Sequence, residues 1–189
     1  MSYPLSVSLR ADSARVRAQM VAAARARIAD GDLELPMNAI AKEAGVGVGT
    51  MYRHFANRQA LLETVAADNY AALIEEARSA AENPDVAAGL AALLRAALRC
   101  QLTDPALAEV MALPQYECVE TLELGSRLAA ESMRVLERDR AAGVIRPEVT
   151  GDDVRRLTCG VRYAVDSGED ADGTTADRYL DVVLRGLSP

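Results

Sequence analysis

The segment from Leu35 to Phe55, Leu-Pro-Met-Asn-Ala-Ile-Ala-Lys-Glu-Ala-Gly-Val-Gly-Val-Gly-Thr-Met-Tyr-Arg-His-Phe, limits the fold more than any other part of the chain. Ile40 and Ala41 occupy the inward positions of a first short helix. Ala44 is small and Gly45 admits positive φ, so the chain can turn sharply there. Val46 fills the angle that follows. Met51 and Phe55, four residues apart, are the inward positions of a second short helix. The spacing predicts a helix-turn-helix. Its second helix exposes Val48, Gly49, Thr50, Tyr52, Arg53 and His54. That mix of small, hydroxyl, aromatic and basic groups suits a DNA major groove.

The remainder also follows helical periodicity. Val16, Met20, Ala24 and Ile28 recur at i+4, and Leu62, Val65, Ala66, Asn69, Tyr70, Leu73, Ile74 and Ala77 hold one face over four turns. Val154, Leu157, Val161, Ala164 and Val165 form another stripe, as do Leu180, Val183, Leu184 and Leu187. No period-2 alternation flanked by hairpin turns is present, and Ala outnumbers the β-branched residues. The prediction is an all-α fold of about nine helices. Ser13 is expected to cap the first and Gly31 to end it. Asn83-Pro84 and Asp104-Pro105 each read as an N-cap followed by Pro at N1. Thr150 and Asp153 have capping-box spacing. Gly143 is expected to stop the long helix holding Leu128, Val135 and Leu136. Asp166 to Gly173 reads as an acidic loop, and Thr174 or Thr175 as the start of the last helix.

Composition excludes several chemistries. Of 189 residues, one is His (His54) and three are Cys, without a Cys-x-x-Cys. Zinc fingers and a Ser-His-Asp enzyme are poorly supplied. A di-iron helical bundle would need Glu-x-x-His pairs and fails on the same count. No catalytic residue, metal site or cofactor is expected, and the protein reads as a non-enzyme. Charge-free runs reach nine residues, as in Val86 to Leu94, far below the roughly 20 of a membrane span. Residues Met1 to Arg10 lack a signal-peptide core, and the cysteine usage fits a cytoplasmic protein.

The net charge is −7, which as an average argues against nucleic acid. The average conceals a division. Through residue 60 there are 8 basic and 5 acidic residues; beyond it there are 13 basic and 23 acidic. The basic part contains the helix-turn-helix. A boundary follows near residue 57, giving a DNA-binding domain (1–57) and a helical domain (58–189).

Ile40-Ala41-x-x-Ala44-Gly45-Val46, Gly49-Thr50-Met51-Tyr52-Arg53-His54-Phe55 and Arg58-x-x-Leu61-Leu62 together resemble the N-terminal domain of the TetR family of bacterial transcriptional regulators. Arg146-Pro147-x-Val149-Thr150-x-x-Asp153-Val154, with Gly160 and Tyr163, is similar to C-terminal domains within that family. The resemblance implies phosphate contacts by Tyr52, His54, Arg58 and Asn38, and a base or phosphate contact by Thr50. It implies base reading by Val48, Gly49 and Arg53. On chemical grounds Arg53 suits guanine and Val48 a thymine methyl. Two residues depart from the pattern: Gly47 stands where Ser or Thr is common, and Pro36 where Thr is usual. Gly47 and Gly49 fit either a helix fully ordered only on DNA or a close backbone approach to phosphate.

The resemblance further implies a homodimer on a palindromic operator, released by a small-molecule effector. The effector pocket would lie among the middle helices, with Tyr70, Met111, Tyr116, Met133 and Tyr163 as candidate lining residues. The dimer interface would use Val154, Leu157, Val161, Leu180, Val183, Leu184 and Leu187. A regulator or interaction module without a ligand, or an activator, are the alternatives. No membrane partner is expected.

Overall fold

The structure is a computed structural model that describes residues 5–168 and 174–189, with side chains from residue 11 onward. The described residues form nine helices and no strand. These are α1 (Leu5–Ala29), α2 (Met37–Glu43), α3 (Val48–His54), α4 (Arg58–Glu82), α5 (Val86–Thr103), α6 (Pro105–Ala112), α7 (Val119–Ala141), α8 (Gly151–Asp166) and α9 (Thr175–Leu187). Two compact units divide between Ala66 and Ala67, inside α4.

The helix boundaries show which local signals decide. Asp104 accepts from the Leu107 N–H with Pro105 next in line, and Asn57 accepts from the Ala60 N–H at 2.9 Å to cap α4. Thr150 and Asp153 form the reciprocal capping box. Thr174 is the N-cap position of α9. Two expected caps are displaced. Ser13 lies inside α1, which runs unbroken through it; helix-favouring Ala and Arg on both sides outweigh one capping side chain. Asn83 does not cap α5. Asp85 does, accepting from the Ala88 N–H, while the Asn83 side chain accepts from the Asp85 N–H. Of the predicted 166–173 loop, Asp166 closes α8, and residues 169–173 lie outside the described residues.

In the first unit α2 packs on α1 and α3. Met20, Ala24, Leu35, Ile40, Ala41, Met51, Leu61 and Leu62 have no exposed surface, and Phe55 is 2% exposed. Arg27 of α1 binds Glu43, the last residue of α2, through two nitrogens at 2.8 and 2.5 Å, and Asp32 at 2.5 Å. Hydrogen bonding to Arg27 lowers the pKa of both carboxyls, and theirs to it raises that of the guanidinium.

In the second unit α5 is central and contacts α6, α7, α8 and α9. By length and composition α5 is apolar enough to cross a membrane. Here its Leu90, Leu93, Leu94, Ala97 and Leu98 are core residues. Gly89 permits a close crossing, because a Cβ there would meet the Ala80 carbonyl and Arg138 at 2.6 Å. Arg138 of α7 donates to the carbonyls of Ala81 and Asn83 at 2.7 and 2.8 Å, satisfying the end of α4.

Candidate functional site

The helix-turn-helix closes on Gly45. Its φ is +68°, a conformation that glycine adopts without Cβ strain. The Gly45 N–H then reaches the Lys42 carbonyl at 3.1 Å and the Val46 N–H reaches Ala41 at 2.9 Å. This is the Schellman arrangement, which satisfies the last carbonyls of α2 while reversing the chain. Gly47 is the N-cap position of α3, in extended conformation and without a side-chain cap. A Cβ at Gly47 or Gly49 would meet nothing within 4 Å, so internal packing does not require glycine at either place.

Within α3 only Met51 is buried. Val48 (45% exposed) and Tyr52 (48%) face solvent four residues apart, and Gly49 and Arg53 do the same. The two pairs form one exposed stripe. The Arg53 guanidinium folds along it, donating to the Gly49 carbonyl at 3.3 Å and to the Thr50 hydroxyl at 2.8 Å. Asn38 is exposed on α2, and Thr50 and His54 are half-buried. The structure thus brings seven of the eight expected DNA residues to exposed or half-buried positions of α2 and α3.

Arg58 is the eighth and is engaged differently. Its Nε donates to the carbonyls of Leu33 and Glu34 at 3.0 and 3.1 Å, and Nη2 also donates to Leu33. These carbonyls precede Leu35, a fully buried non-glycine residue with φ of +45°. Sequence reasoning missed this clamp, because spacing alone does not reveal that the α1–α2 loop turns its carbonyls toward α4. Arg17 is likewise held within the unit, 4.9 Å from the Phe55 ring centroid and 3.1 Å from the Thr64 hydroxyl.

The second unit contains a cavity of about 530 Å³, within the range of small-molecule sites. Tyr70, Met111, Tyr116 and Met133 line it, as the sequence suggested. Tyr163 does not. It projects to solvent from the outer face of α8, 73% exposed. The Tyr70 and Tyr116 hydroxyls lie 2.9 Å apart with the rings edge to face at 84°. Burial, then Tyr116, push the Tyr70 hydroxyl pKa upward, so it stays protonated. Gly125 makes room for this pair, since a Cβ there would lie 2.8 Å from the Tyr116 ring. Gln101 and Arg155 line the cavity too, and the sequence reading had not singled out either.

The expected dimer stripe is largely turned inward. Val161, Leu180 and Leu187 are 7%, 1% and 4% exposed within a single chain, and Val154 lines the cavity. Val183 and Leu184 are half-buried; only Leu157 of the seven is exposed. An apolar stripe shows that a helix face is covered, not that a second copy covers it. The solvent side of α8 and α9 carries Leu157, Gly160, Tyr163 and Ala164 with Val182 and Gly186.

Comparison with known proteins places these features. The family model of bacterial regulatory proteins of the tetR family matches residues 20–65. The C-terminal domain of SbtR-like transcriptional regulators, a TetR C-terminal type, matches residues 87–189, more than half of the chain. The chain belongs to the TetR family. It is a TetR-family transcriptional regulator, a class of DNA-binding proteins built on a helix-turn-helix. A TetR transcriptional regulator from Streptomyces coelicolor, SCO0520, is 27% identical over 92% of this chain and 98% of its own, with a TM-score of 0.56. RolR, solved with resorcinol, shares the fold at 18% identity and TM-score 0.65, over 94% of this chain and 89% of its own. FadR from Bacillus subtilis, solved with stearoyl-CoA, does so at 20% identity and TM-score 0.60, over 89% and 97%. No curated protein gives a significant match.

Proposed function

We propose that this TetR-family protein is a homodimeric repressor that occupies a two-fold DNA site in the cytoplasm and leaves it when a small molecule enters the cavity of the second unit. The observation that carries the DNA part is the exposed Val48-Gly49-Tyr52-Arg53 stripe on the second helix of a helix-turn-helix. Arg53 gives up its bonds to Thr50 and Gly49 and pairs with a guanine edge. Val48 touches a thymine methyl, and Tyr52, His54, Thr50 and Asn38 bond phosphates. Arg58 acts as a positioning residue, holding the loop ahead of α2 in place. Residues 1–57 make every DNA contact in this reading, and residues 58–189 hold ligand and dimer surface.

The geometry of duplex DNA supports the dimer. One α3 reaches few phosphates, whereas two reach successive major grooves about 34–36 Å apart. The exposed Leu157 and Val182 are flanked by Gly160, Ala164 and Gly186, whose small side chains allow helices of two copies to approach closely. The cavity supports ligand control, and RolR and FadR, which share the fold, were each solved with a small molecule. Release requires the ligand to bind the DNA-incompetent conformation more tightly than the competent one.

The test is a gel shift with a duplex from upstream of the protein's own gene, against a shuffled duplex of equal length. Each phosphate neutralised by a cation of the first unit adds about −0.9 to the log–log salt slope, so binding should weaken steadily as salt rises. Equal binding of both duplexes at physiological salt would refute the specific-regulator reading.

A further inference from the structure

The cavity of the second unit has a polar inventory that restricts what can fill it. Gln101 of α5 lines it and is only 2% exposed. Neither its Oε1 nor its Nε2 has a hydrogen-bond partner in the protein. Buried carboxamides are rarely left so, because each unmade bond costs the desolvation of that atom. Neither atom is exposed in this rotamer, and a turn of the side chain would present both to an occupant of the cavity; a carboxamide offers a donor and an acceptor side by side.

The charged groups of the wall point the same way. Arg155 is the cavity's guanidinium, and its Nη2 lies 2.8 Å from Asp152, which also lines the wall. Arg156 binds the other Asp152 oxygen at 2.7 Å, and the second terminal nitrogen of Arg155 donates to the Met111 carbonyl at 3.4 Å. Arg155 thus already has hydrogen-bond partners, although Asp152 divides its single charge between two guanidiniums. An anionic ligand would have to compete with Asp152 for Arg155 while losing its own hydration. The Tyr70–Tyr116 hydroxyl pair uses one of its two protons internally and keeps one to donate. The rest of the wall is mainly apolar, with Leu73, Leu93, Leu94 and Leu128 among it.

We propose that the cavity takes an uncharged, largely apolar molecule bearing one carboxamide-like group, which donates to and accepts from the side chain of Gln101. The inference rests on the ligand-responsive reading above and deepens it. Gln101 acts as the selector. A matched amide satisfies both of its polar atoms. A ketone can only accept from Nε2 and leaves Oε1 unpaired. A carboxylate sets an oxygen against Oε1 and buries a charge as well.

Three probes isolate that single difference: hydrocinnamamide, benzylacetone and hydrocinnamate share a phenylethyl body and differ only in carrying NH2, CH3 or O⁻ on the carbonyl. Their binding to the full-length protein is measured by NMR titration at neutral pH. The expected order is amide, ketone, carboxylate, with the amide roughly 5- to 100-fold tighter than the ketone. In Gln101→Leu the amide and ketone should bind within about twofold of each other, because the buried bonds are gone. Gln101→Met, unbranched and of similar length, serves the same purpose should the leucine variant fold poorly. An amide no tighter than the ketone, a carboxylate that binds tightest, or no binding of any probe at millimolar concentration would each overturn the proposal. Gel shifts on the same samples keep the two readings apart. Specific promoter binding that persists without amide preference sinks the ligand class alone, whereas absence of specific promoter binding in the probe-free protein sinks the regulator reading.

Discussion

Replacing Arg58 with alanine should destabilise the DNA-binding unit without changing how DNA binding responds to salt. The guanidinium makes three hydrogen bonds to the Leu33 and Glu34 carbonyls from a partly buried position. A bond to a charged donor contributes about 1.5–3 kcal/mol. The three share two acceptors, and water replaces part of what is lost. The expected total is therefore about 2–3 kcal/mol, a large fraction of the roughly 5–15 kcal/mol that holds a domain folded. At about 2–4 °C per kcal/mol for a chain of this size, the melting midpoint falls by roughly 4–12 °C. Calorimetry at fixed protein concentration gives that number. DNA affinity is then measured well below the transition as a function of salt. A clamp leaves the log–log slope unchanged, whereas a lost phosphate contact makes it shallower by about 2 per dimer. Arg58→Lys sharpens the contrast, since lysine keeps the charge but has no fork to span two carbonyls. An unchanged melting midpoint with a shallower slope would refute the clamp.

Asp139→Asn should stabilise the second unit, but only above mildly acidic pH. Asp139 is fully buried, neither oxygen has a hydrogen-bond partner, and the Arg138 Nε is 3.9 Å away. Burial pushes its carboxyl up to about 6, against the pull of Arg138. A folded-state value above the unfolded one means stability that is full below about pH 4 and lost as pH rises through about 6. Urea unfolding should show the variant about 1–3 kcal/mol more stable near pH 7.5, with the difference closing near pH 4; a pH-independent difference would contradict the assignment. Gly45→Ala should destabilise by about 1–2 kcal/mol, since φ is +68° there. Gly49→Ala, in helical backbone with open space, should stabilise by about 0.5–1 kcal/mol. The same signs for both in urea unfolding would show that backbone conformation does not set the effect.

Where a signal is local, the sequence carried it. Gly45, Asp104 and Thr150 act on backbone groups within a few residues, and each appears where its chemistry placed it. The helix-turn-helix was legible for that reason. Competition between neighbouring signals was not. Asn83 and Asp85 are both good caps, and only the path of the chain decides that Asp85 takes the role. Tertiary partners were less legible still. The stripe on α9 showed that Leu180 and Leu187 are covered, but not that α5 of the same chain lies against α9. The resemblance made Arg58 a phosphate contact, yet its neighbours in space are carbonyls 24 and 25 residues back. Gln101 was passed over because a single glutamine in an alanine- and leucine-rich helix carries no pattern.

The Arg27–Asp32–Glu43 cluster has a consequence for how the protein behaves among many DNA sites. A regulator searches a chromosome full of wrong sequences, and each exposed cation makes all of them stickier. Arg27 is among the basic residues of the first unit, but two carboxylates accept its bonds and cancel its field. The cluster joins α1 to the end of α2 by charge while giving no extra hold on random phosphate. Rigidity comes here without promiscuity, and neutralising Glu43 and Asp32 together would lengthen the protein's stay on sequences it has no reason to visit.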